Sequence, residues 1–220
     1  MKTAILFDLD GTLADTIEDL ASAVNGALRK HGLPEHEATA YKLMVGNGFR
    51  NLIKSAIGPR LADTPLFEEL RAQAAAAYEA EPLVHTAAYP GARELLEALT
   101  DRGIPFAVLS NKPDRLTKIV VRALFPGFTF FALRGETDAF PRKPDPAAAI
   151  DLLAAVKATA EHSLFLGDSD VDMRTANNAR MIGIGAGWGF RGRAELLESG
   201  ARAVIQKPEE LLAYLPLAYK

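Results

Sequence analysis

Two aspartates separated by one residue follow a short apolar run near the start of the chain. The run is Ala4-Ile5-Leu6-Phe7, and the segment after it reads Asp8-Leu9-Asp10-Gly11-Thr12-Leu13. Residues two apart in a strand point to the same side, so Asp8 and Asp10 can face one site while Leu9 packs on the other side. Such a pair suits Mg²⁺, which one or two carboxylates hold together with water and a phosphate group. The segment therefore predicts part of a magnesium site.

An exposed turn is the alternative interpretation of the same segment, because Asp and Gly are common turn formers. Short motifs also occur by chance, so the rest of the chain must decide between the two. Further acidic ligands for a metal site are available late in the sequence, at Asp168 and Asp172.

Composition and charge limit the classes of protein to which the chain can belong. It has 220 residues, 49% of them hydrophobic, which is enough for one large domain or for a core with a smaller companion. A net charge of -3 gives no general basic surface, so we expect no binding to nucleic acid or to an anionic membrane. The chain contains no cysteine, which excludes disulfides, thiolate metal sites and a catalytic thiol.

The start of the chain carries no charged leader before its apolar run, and no stretch approaches the roughly 18 consecutive apolar residues of a membrane helix. We therefore expect a cytoplasmic protein with no membrane partner. The histidines lack the spacing of paired metal ligands and receive no catalytic role; they are His31, His36, His85 and His162.

From Ala88 onward, short apolar strands alternate with helical patterns. Strands are predicted at 104–109, 129–133, 163–166, 181–186 and 203–205, and helices at 92–102, 115–124, after Pro146, at 171–179, at 194–197 and after Pro208. This alternation predicts a parallel sheet with helices on both faces, and strands rich in Ile, Val, Leu and Phe support burial on both sides. The predicted fold class is α/β, with a Rossmann-like parallel sheet sandwiched by helices.

Residues 15–87 differ from the rest because they show helical spacing and no convincing strand. Apolar residues line one face of a first helix that ends near Gly32, and further helices are predicted at 49–57 and 66–81, the last with Thr64 as its N-cap. We predict an α/β core formed by residues 1–14 and 88–220. Residues 15–87 are predicted to form a small all-helical cap, inserted next to the turn that holds Asp8 and Asp10.

Polar residues follow three of the predicted strands of the core or lie in the loops beyond them. Ser110-Asn111-Lys112 follows the strand 104–109, Gly167-Asp168-Ser169 follows the strand 163–166, and Lys143 lies in the loop before Pro146. Ligands of open parallel sheets bind outside the carboxyl ends of the strands. We therefore expect these groups at the same edge of the sheet as Asp8 and Asp10.

The assembled groups suit phosphoryl transfer, in which a protein mainly positions phosphorus and stabilises charge on its oxygens. Asp8 is predicted to be the nucleophile, because a carboxylate is already ionised at neutral pH. Asp10 is predicted to be the general acid for the departing alkoxide and must hold a proton for that step. The phosphate-binding residues are predicted to be Gly11, Ser110, Asn111 and Lys143, of which Ser110 and Lys143 also have catalytic roles.

The predicted metal ligands are Asp8, Asp10 and Asp168. Asp172 is predicted to orient Lys143 or metal-bound water from behind these ligands, and Asp170 to cap the helix that follows. Taken singly, Ser110 also fits a turn at the end of a strand, and Lys143 also fits a surface lysine before a proline.

Four segments of the chain resemble the four motifs of the haloacid dehalogenase superfamily of phosphohydrolases. They are Asp8-Leu9-Asp10-Gly11-Thr12-Leu13, Ser110-Asn111-Lys112, Lys143-Pro144-Asp145-Pro146 and Gly167-Asp168-Ser169-Asp170-Val171-Asp172. The motif order and the helical insert resemble the branch typified by phosphoglycolate phosphatase, as do Tyr89-Pro90-Gly91 and Trp188-Gly189-Phe190-Arg191. The resemblance covers nearly the whole chain and implies Mg²⁺-dependent hydrolysis of a small phosphate monoester through an aspartyl-phosphate at Asp8. The superfamily's dehalogenases generally lack the second aspartate, so Asp10 favours phosphate chemistry.

One segment departs from the pattern of the superfamily, which usually has Gly after the helix of the last motif. This chain has Asn177-Asn178-Ala179-Arg180 there. Either Arg180 adopts a left-handed conformation at a cost of roughly 1 kcal/mol, or Asn178 takes that role and ends the helix early.

The segment Val45-Gly46-Asn47-Gly48-Phe49-Arg50 is the most unusual part of the predicted cap. It fits a turn between helices, since Gly and Asn are common turn residues. Similar segments in caps that resemble phosphoglycolate phosphatase face the active site, and Arg50 could pair with a carboxylate in bidentate fashion. We therefore predict substrate contacts by Arg50, with Asn47 and Lys54 behind it.

The predicted partner is a small anionic phosphate ester, 2-phosphoglycolate or a similar molecule. A sugar phosphomutase or a pyrophosphatase remains an alternative, because the core motifs do not decide the acceptor. A non-catalytic regulator that binds metal or phosphate is an alternative from another class, and the complete set of motif residues argues against it. The sequence is compatible with a monomer or a homodimer.

Overall fold

A parallel sheet of six strands forms the centre of the protein in a computed structural model that describes residues 2–216. The described residues form eight strands, of which β2 and β3 lie outside the central sheet: β1 (Ile5–Phe7), β2 (Ala14–Asp15), β3 (Ala87–Ala88), β4 (Phe106–Pro113), β5 (Ala132–Glu136), β6 (Leu164–Gly167), β7 (Ile182–Ala186) and β8 (Ala203–Ile205). The order across the central sheet is β5-β4-β1-β6-β7-β8, and every neighbouring pair is parallel. The predicted α/β class is confirmed.

Helices connect these strands. They are α1 (Ile17–Lys30), α2 (Ala38–Tyr41), α3 (Phe49–Ile57), α4 (Pro65–Ala80), α5 (Ala92–Asp101), α6 (Asp114–Leu124), α7 (Ala147–Ala155), α8 (Asp170–Asn178) and α9 (Arg193–Glu198), with 3₁₀ helices at Ala160–His162 and Pro208–Tyr214. Within residues 2–216, none of them is long and apolar enough to cross a membrane.

The alternation of side chains along β1 divides the core into two layers. Ile5 and Phe7 pack in the cluster formed with α5 and α6, whereas Leu6 packs in the cluster formed with α7 and α8. All three side chains are fully buried. Both faces of the central strand are therefore covered, which explains why its sequence is a continuous apolar run.

Helices α1 to α4 share a further apolar cluster, which also includes Leu116 of α6. It is built from the inner faces of the helices and includes Leu20, Val24, Leu28, Leu52, Ile53, Phe67 and Leu70. Strands β2 and β3 pair in antiparallel fashion where the chain leaves the central sheet for these helices and where it returns. This ribbon places the helical segment directly beyond the turn that follows β1.

Several local predictions agree with the structure. Helix α4 begins at Pro65 after the N-cap Thr64, and Gly32 has a left-handed φ of 65° just after α1. Helix α8 ends at Asn178, and Arg180 is left-handed with a φ of 58°. Of the two conformations considered for the Asn177-Asn178-Ala179-Arg180 segment, the chain adopts the one at Arg180.

Other boundaries differ from the predictions. The strand predicted at 129–133 begins only at Ala132, because Phe128 and Phe130 pack edge-on against Phe125 before the chain extends. The segment after Pro208 is a 3₁₀ helix rather than an α-helix. Residues 1 and 217–220 of the predicted core lie outside the described residues.

Candidate active site

Three buried carboxylates lie together at the carboxyl edge of the sheet. Asp8 follows β1, Asp168 follows β6, and Asp172 lies in the first turn of α8. Because β1 and β6 are hydrogen-bonded neighbours, the ends of these strands bring residues 160 positions apart into one place. Each of the three offers a carboxylate oxygen within 4.8 Å of the others.

Lys143 places a buried ammonium between two of these carboxylates. Its Nζ donates hydrogen bonds to Oδ1 of Asp8 and to Oδ1 of Asp172, each at 2.7 Å. The Asn111 side chain holds the backbone of Lys143, since Lys143 N donates to Oδ1 at 2.9 Å and Nδ2 donates to the Lys143 carbonyl at 3.0 Å. Nδ2 of Asn111 also donates to the carbonyl of Gly46 at 2.9 Å. The side-chain amide of this predicted phosphate ligand is therefore hydrogen-bonded to the backbone of Lys143 and Gly46.

Asp172 is held from both of its oxygens. Oδ1 accepts from Lys143, and Oδ2 accepts from the backbone of Asp168 and from the backbone and hydroxyl of Ser169 at 2.7 to 3.1 Å. Ser169, not Asp170, is the N-cap of α8, because a capping box links its side chain with that of Asp172. Asp170 is instead the first residue of the helix.

The carboxylate of Asp10 points away from this cluster. It accepts hydrogen bonds from Nζ of Lys112 at 2.8 and 3.2 Å, and Oδ1 also accepts from the hydroxyl of Thr16 at 2.7 Å. Burial acts to lower the pKa of Lys112, but the charges and hydrogen bonds of Asp10 and Tyr78 together outweigh it and leave the pKa raised. The structure therefore places the Asp10 side chain with a cation rather than among the carboxylates that could share a metal.

Gly11, which was predicted to donate its N–H to a phosphate, instead allows the Asp168 carboxylate to approach the backbone closely. Its φ is 87°, and a Cβ there would lie 2.1 Å from Oδ2 of Asp168. Its N–H donates to the carbonyl of Ala14 at 2.9 Å, so this group is not directed at a phosphate. Gly189 makes the same close approach, since a Cβ there would lie 2.2 Å from that of Asp168. Gly189 belongs to the Trp188-Gly189-Phe190-Arg191 segment singled out in the sequence, although no role was predicted for the glycine.

Burial and the charges of neighbouring carboxylates disfavour the charged forms of Asp8 and Asp168. The pKa of Asp8 is raised to about 7, mainly by burial; the Lys143 ammonium opposes this rise, and the charges of Asp172 and Asp10 contribute to it. Burial and then Asp172 hold the pKa of Asp168 well above its usual range. Burial acts to lower the pKa of Lys143, but Asp172 and Asp8 raise it more. Three buried carboxylates facing one ammonium form a dry site with excess negative charge and hard oxygen donors, which fits a divalent cation such as Mg²⁺.

A cavity of about 40 Å³ opens beside Asp8 and Asp10. The core contributes polar groups to its wall, whereas α1, α3, α4 and the turn before α3 contribute mainly apolar ones. The lining residues are Leu20, Val45, Gly46, Gly48, Phe49, Leu52 and Tyr78 from the helical segment, and Asp8, Asp10, Ser110, Asn111, Lys112 and Pro113 from the core. Ser110 is buried there, and its hydroxyl accepts from the backbone N–H of Lys112 at 3.2 Å.

The predicted substrate contacts of the cap are not brought to this cavity. The guanidinium of Arg50 pairs with Glu68 at 2.6 Å and lies over the ring of Phe67. The ammonium of Lys54 lies over the same ring, which belongs to α4, and neither Arg50 nor Lys54 lines the cavity. Helical geometry accounts for this: Phe49 and Leu52 turn inward, so Arg50 must turn outward. Asn47 does not line the cavity either; its backbone carbonyl accepts a hydrogen bond from the guanidinium of Arg142 at 3.2 Å.

Arg191 is a further site residue, to which the sequence assigned no role. Its buried guanidinium donates to backbone carbonyls of the helical segment, at 3.0 Å to Leu43 and 3.1 Å to Val45, and also to Lys42. Together with Asn111 and Arg142, it fixes the turn that lines the cavity. The Trp188-Gly189-Phe190-Arg191 segment was singled out from the sequence, but the role of Arg191 was not. Its acceptors are backbone carbonyls, which every residue has, so the sequence could not identify them.

Comparisons with known proteins agree with this geometry. The family model described as Haloacid dehalogenase-like hydrolase matches residues 5–186. A phosphoglycolate phosphatase from Pseudomonas putida is 33% identical over 216 residues, which cover 96% of this chain and 78% of that protein.

Solved structures show the same fold. A crystal structure of a predicted phosphoglycolate phosphatase from Haemophilus somnus matches with a TM-score of 0.87 at 26% identity, covering 96% of this chain and 97% of that chain. CbbY from Rhodobacter sphaeroides, solved in complex with phosphate, matches with a TM-score of 0.76 at 25% identity, covering 98% of this chain and 99% of that chain.

A parallel α/β sheet with clustered carboxylates at its carboxyl edge, beneath a helical insert, defines this protein as a phosphoric monoester hydrolase. The chain belongs to the haloacid dehalogenase-like hydrolases and is similar to their phosphoglycolate phosphatases. The family resemblance predicted from the four motifs is thereby confirmed.

Proposed function

We propose that this protein is a Mg²⁺-dependent phosphatase that hydrolyses a small phosphate monoester, 2-phosphoglycolate or a similar molecule, through an aspartyl-phosphate at Asp8. The observation that carries the proposal is the position of Asp8, which lines the cavity and lies among two further buried carboxylates and the ammonium of Lys143. The relatives named phosphoglycolate phosphatase support the choice of substrate.

The proposed first step breaks the ester bond. A carboxylate oxygen of Asp8 attacks phosphorus and forms an acyl-phosphate bond, while the bond from phosphorus to the ester oxygen breaks and its electron pair leaves with that oxygen. Asp10 gives its proton to the departing oxygen, so that oxygen leaves as a hydroxyl group rather than as an alkoxide.

The proposed second step returns the enzyme to its starting state. A water molecule attacks the aspartyl-phosphate and gives a proton to the carboxylate of Asp10. The Asp8 carboxylate and inorganic phosphate are released, so atoms and charges balance over the cycle. Lys143 stays paired with Asp8 and Asp172 and offsets part of the charge of the phosphate throughout.

Asp8, Asp168 and Asp172 are the residues that we propose to hold Mg²⁺ or its water ligands. The bound ion would supply positive charge that favours the ionised form of Asp8 and offsets the charge of the phosphate oxygens. Ser110, whose hydroxyl lines the cavity, is proposed to donate to a phosphate oxygen.

We further propose that residues 15–87 act as a cap that selects the substrate. Two observations support this: the turn before α3 contributes to the wall of the cavity, and the cavity is small. The side chains of Phe49, Leu52 and Tyr78 line this cavity of about 40 Å³ from the cap side. A substrate with a short organic part fits better than a sugar phosphate.

The test is release of inorganic phosphate from a panel of esters, with Mg²⁺ and with the metal removed by EDTA. The panel contains 2-phosphoglycolate, glucose 1-phosphate, glucose 6-phosphate and pyrophosphate. We expect metal-dependent hydrolysis with the highest kcat/KM for 2-phosphoglycolate. Preference for pyrophosphate would make the protein a pyrophosphatase, and interconversion of the sugar phosphates without phosphate release would make it a mutase; either result contradicts the proposal.

A further inference from the structure

Lys112 is a buried lysine for which the reaction proposed above has no role. Its Nζ donates to Oδ1 and Oδ2 of Asp10, at 2.8 and 3.2 Å, and to the hydroxyl of Tyr78 at 2.5 Å. The side chain is 3% exposed, and the ammonium lies 4.5 Å from the centre of the Tyr78 ring. The three N–H donors of the ammonium therefore all have partners inside the protein.

These contacts determine which way Asp10 faces. Asp8, Asp168 and Asp172 converge on one point, whereas Asp10 turns to Lys112 and to the hydroxyl of Thr16. An ion pair in a dry site is far less screened than one in water, so it holds a short carboxylate in a fixed orientation. Without the ammonium, the Asp10 side chain could rotate toward any other positive charge in the site.

A purely stabilising role accounts poorly for this lysine. A buried ion pair loses the hydration of both ions, and its net contribution to folding is often close to zero or unfavourable. Lys112 also lines the cavity together with Asp10 and Tyr78, where an apolar side chain would pack without that cost. Its position is better explained by an effect on the reaction.

Tyr78 connects this arrangement to the helical segment. It lies on α4, is buried, and stacks against Phe49 of α3 with ring centres 6.5 Å apart. Lys112 lies on β4 of the central sheet. The hydrogen bond from Lys112 to Tyr78 therefore exists only when α4 lies against this end of the sheet.

We propose that Lys112 is a positioning residue that holds the Asp10 carboxylate toward the departing oxygen of the substrate, with Tyr78 completing the arrangement from the cap. The inference rests on the proposed function, because it concerns the proton that Asp10 gives to the leaving group. It assigns Lys112 no contact with the substrate and no proton of its own.

The leaving group of the substrate provides a test that a structural role would not affect. The alkoxide of 2-phosphoglycolate needs a proton as it departs, whereas p-nitrophenolate is stable enough to leave without one. In Lys112→Met, we expect kcat for 2-phosphoglycolate to fall about 100-fold, the lower end of what general acid catalysis contributes. We expect kcat for p-nitrophenyl phosphate to fall less than about tenfold, and KM to change less than about threefold for either substrate.

Two further variants and a control complete the experiment. Lys112→Arg keeps the positive charge and should recover part of the lost rate on 2-phosphoglycolate. Tyr78→Phe keeps the ring beneath the ammonium but removes the hydroxyl, so it should show a smaller loss with the same dependence on the leaving group. Lys118→Met is the matched control, because Lys118 is also paired with an aspartate, Asp114 at 2.5 Å, but its side chain on α6 is 41% exposed and lies outside the cavity.

Each outcome has a clear meaning. A larger loss on 2-phosphoglycolate than on p-nitrophenyl phosphate, with partial recovery in Lys112→Arg, supports the proposal. Equal losses on both substrates, or no loss, overturn it, and if Lys112→Met does not fold, Tyr78→Phe decides by the same comparison. If the unaltered protein hydrolyses neither ester, the proposed function fails instead, which distinguishes the two failures.

Discussion

The Nζ atom of Lys143 lies 2.7 Å from Oδ1 of Asp8, although 135 positions separate the two residues in the chain. The same ammonium lies 2.7 Å from Oδ1 of Asp172. One lysine thus offsets part of the charge of a carboxylate cluster that burial alone would drive toward protonation. The arrangement keeps the proposed nucleophile oriented without an adjacent general base.

Replacing Asp8 with Asn tests its role as the nucleophile. Asn keeps the size of the side chain and an oxygen for Lys143 to contact, so the fold should persist while the attacking charge is lost. We expect phosphate release to fall by at least about 1000-fold, as removal of a nucleophile commonly does. Asp63→Asn, at an aspartate whose side chain is 92% exposed, should retain full activity. A stable Asp8→Asn protein with the rate of the unaltered enzyme contradicts the proposed mechanism.

Removing metal should have an effect that depends on pH. The pKa of Asp8 is raised from 3.8 to about 7 by burial, so between these values the folded metal-free protein binds more protons than the unfolded chain. Its stability should therefore fall as pH rises through this window. Mg²⁺ must displace a proton below pH 7 and need not do so above it, so the rise in Tm on adding Mg²⁺ should be larger at pH 8 than at pH 5.5.

The matched variant for this measurement is Asp168→Asn, which removes one carboxylate from the cluster. It should reduce the rise in Tm at pH 8 and weaken the dependence of activity on Mg²⁺ concentration, while the metal-free protein becomes more stable because mutual repulsion is relieved. An equal rise in Tm in both proteins would show that the ion binds elsewhere.

Arg191 should control how well the turn before α3 covers the cavity. In Arg191→Met, the carbonyls of Leu43 and Val45 lose their donor, so the turn should become less ordered. We expect KM to rise about tenfold, which corresponds to roughly 1.4 kcal/mol of binding, with a smaller change in kcat. Arg122→Met, at an exposed arginine of α6, is the control. An unchanged KM would show that the turn keeps its place without Arg191.

Much of the fold could be predicted because its signals are local. The apolar run of β1, the proline at the start of α4 and the glycine after α1 each specify an element through a few neighbouring residues. The start of β5 could not be predicted in the same way. Phe128 and Phe130 have strong strand propensity, yet they pack against Phe125, and tertiary contacts outweigh propensity.

The candidate site shows the same division. The edge rule for parallel sheets was enough to bring Asp8, Asp168 and Lys143 together from sequence. The ion pair of Asp10 with Lys112 was not predicted, because the metal interpretation assigned the same carboxylate to the ion and Lys112 received no role of its own. Arg50 illustrates the opposite case: its residue type suited a substrate carboxylate, but the face of α3 on which it lies does not reach the cavity.

The direction of Arg50 leads to a prediction about specificity. Its guanidinium pairs with the exposed Glu68, and such surface pairs contribute little. Arg50→Ala should therefore leave kcat/KM for 2-phosphoglycolate within about twofold of the unaltered enzyme. Phe49, its neighbour on the inner face, lines the cavity and stacks on Tyr78. Phe49→Ala should lower kcat/KM for 2-phosphoglycolate about tenfold or more and raise it for a bulkier ester such as glucose 6-phosphate, because the cavity gains the volume of the ring.

Measuring both esters with both variants separates the two faces of α3. A shift of preference in Phe49→Ala alone assigns specificity to the inner face, as the structure leads us to expect. A shift in Arg50→Ala alone would mean that the helix turns when substrate binds and brings the guanidinium to the cavity. Thermal melts of both proteins ensure that a lower rate in Phe49→Ala is not merely a loss of folded enzyme, since removing a partly buried phenylalanine costs up to about 3 to 5 kcal/mol.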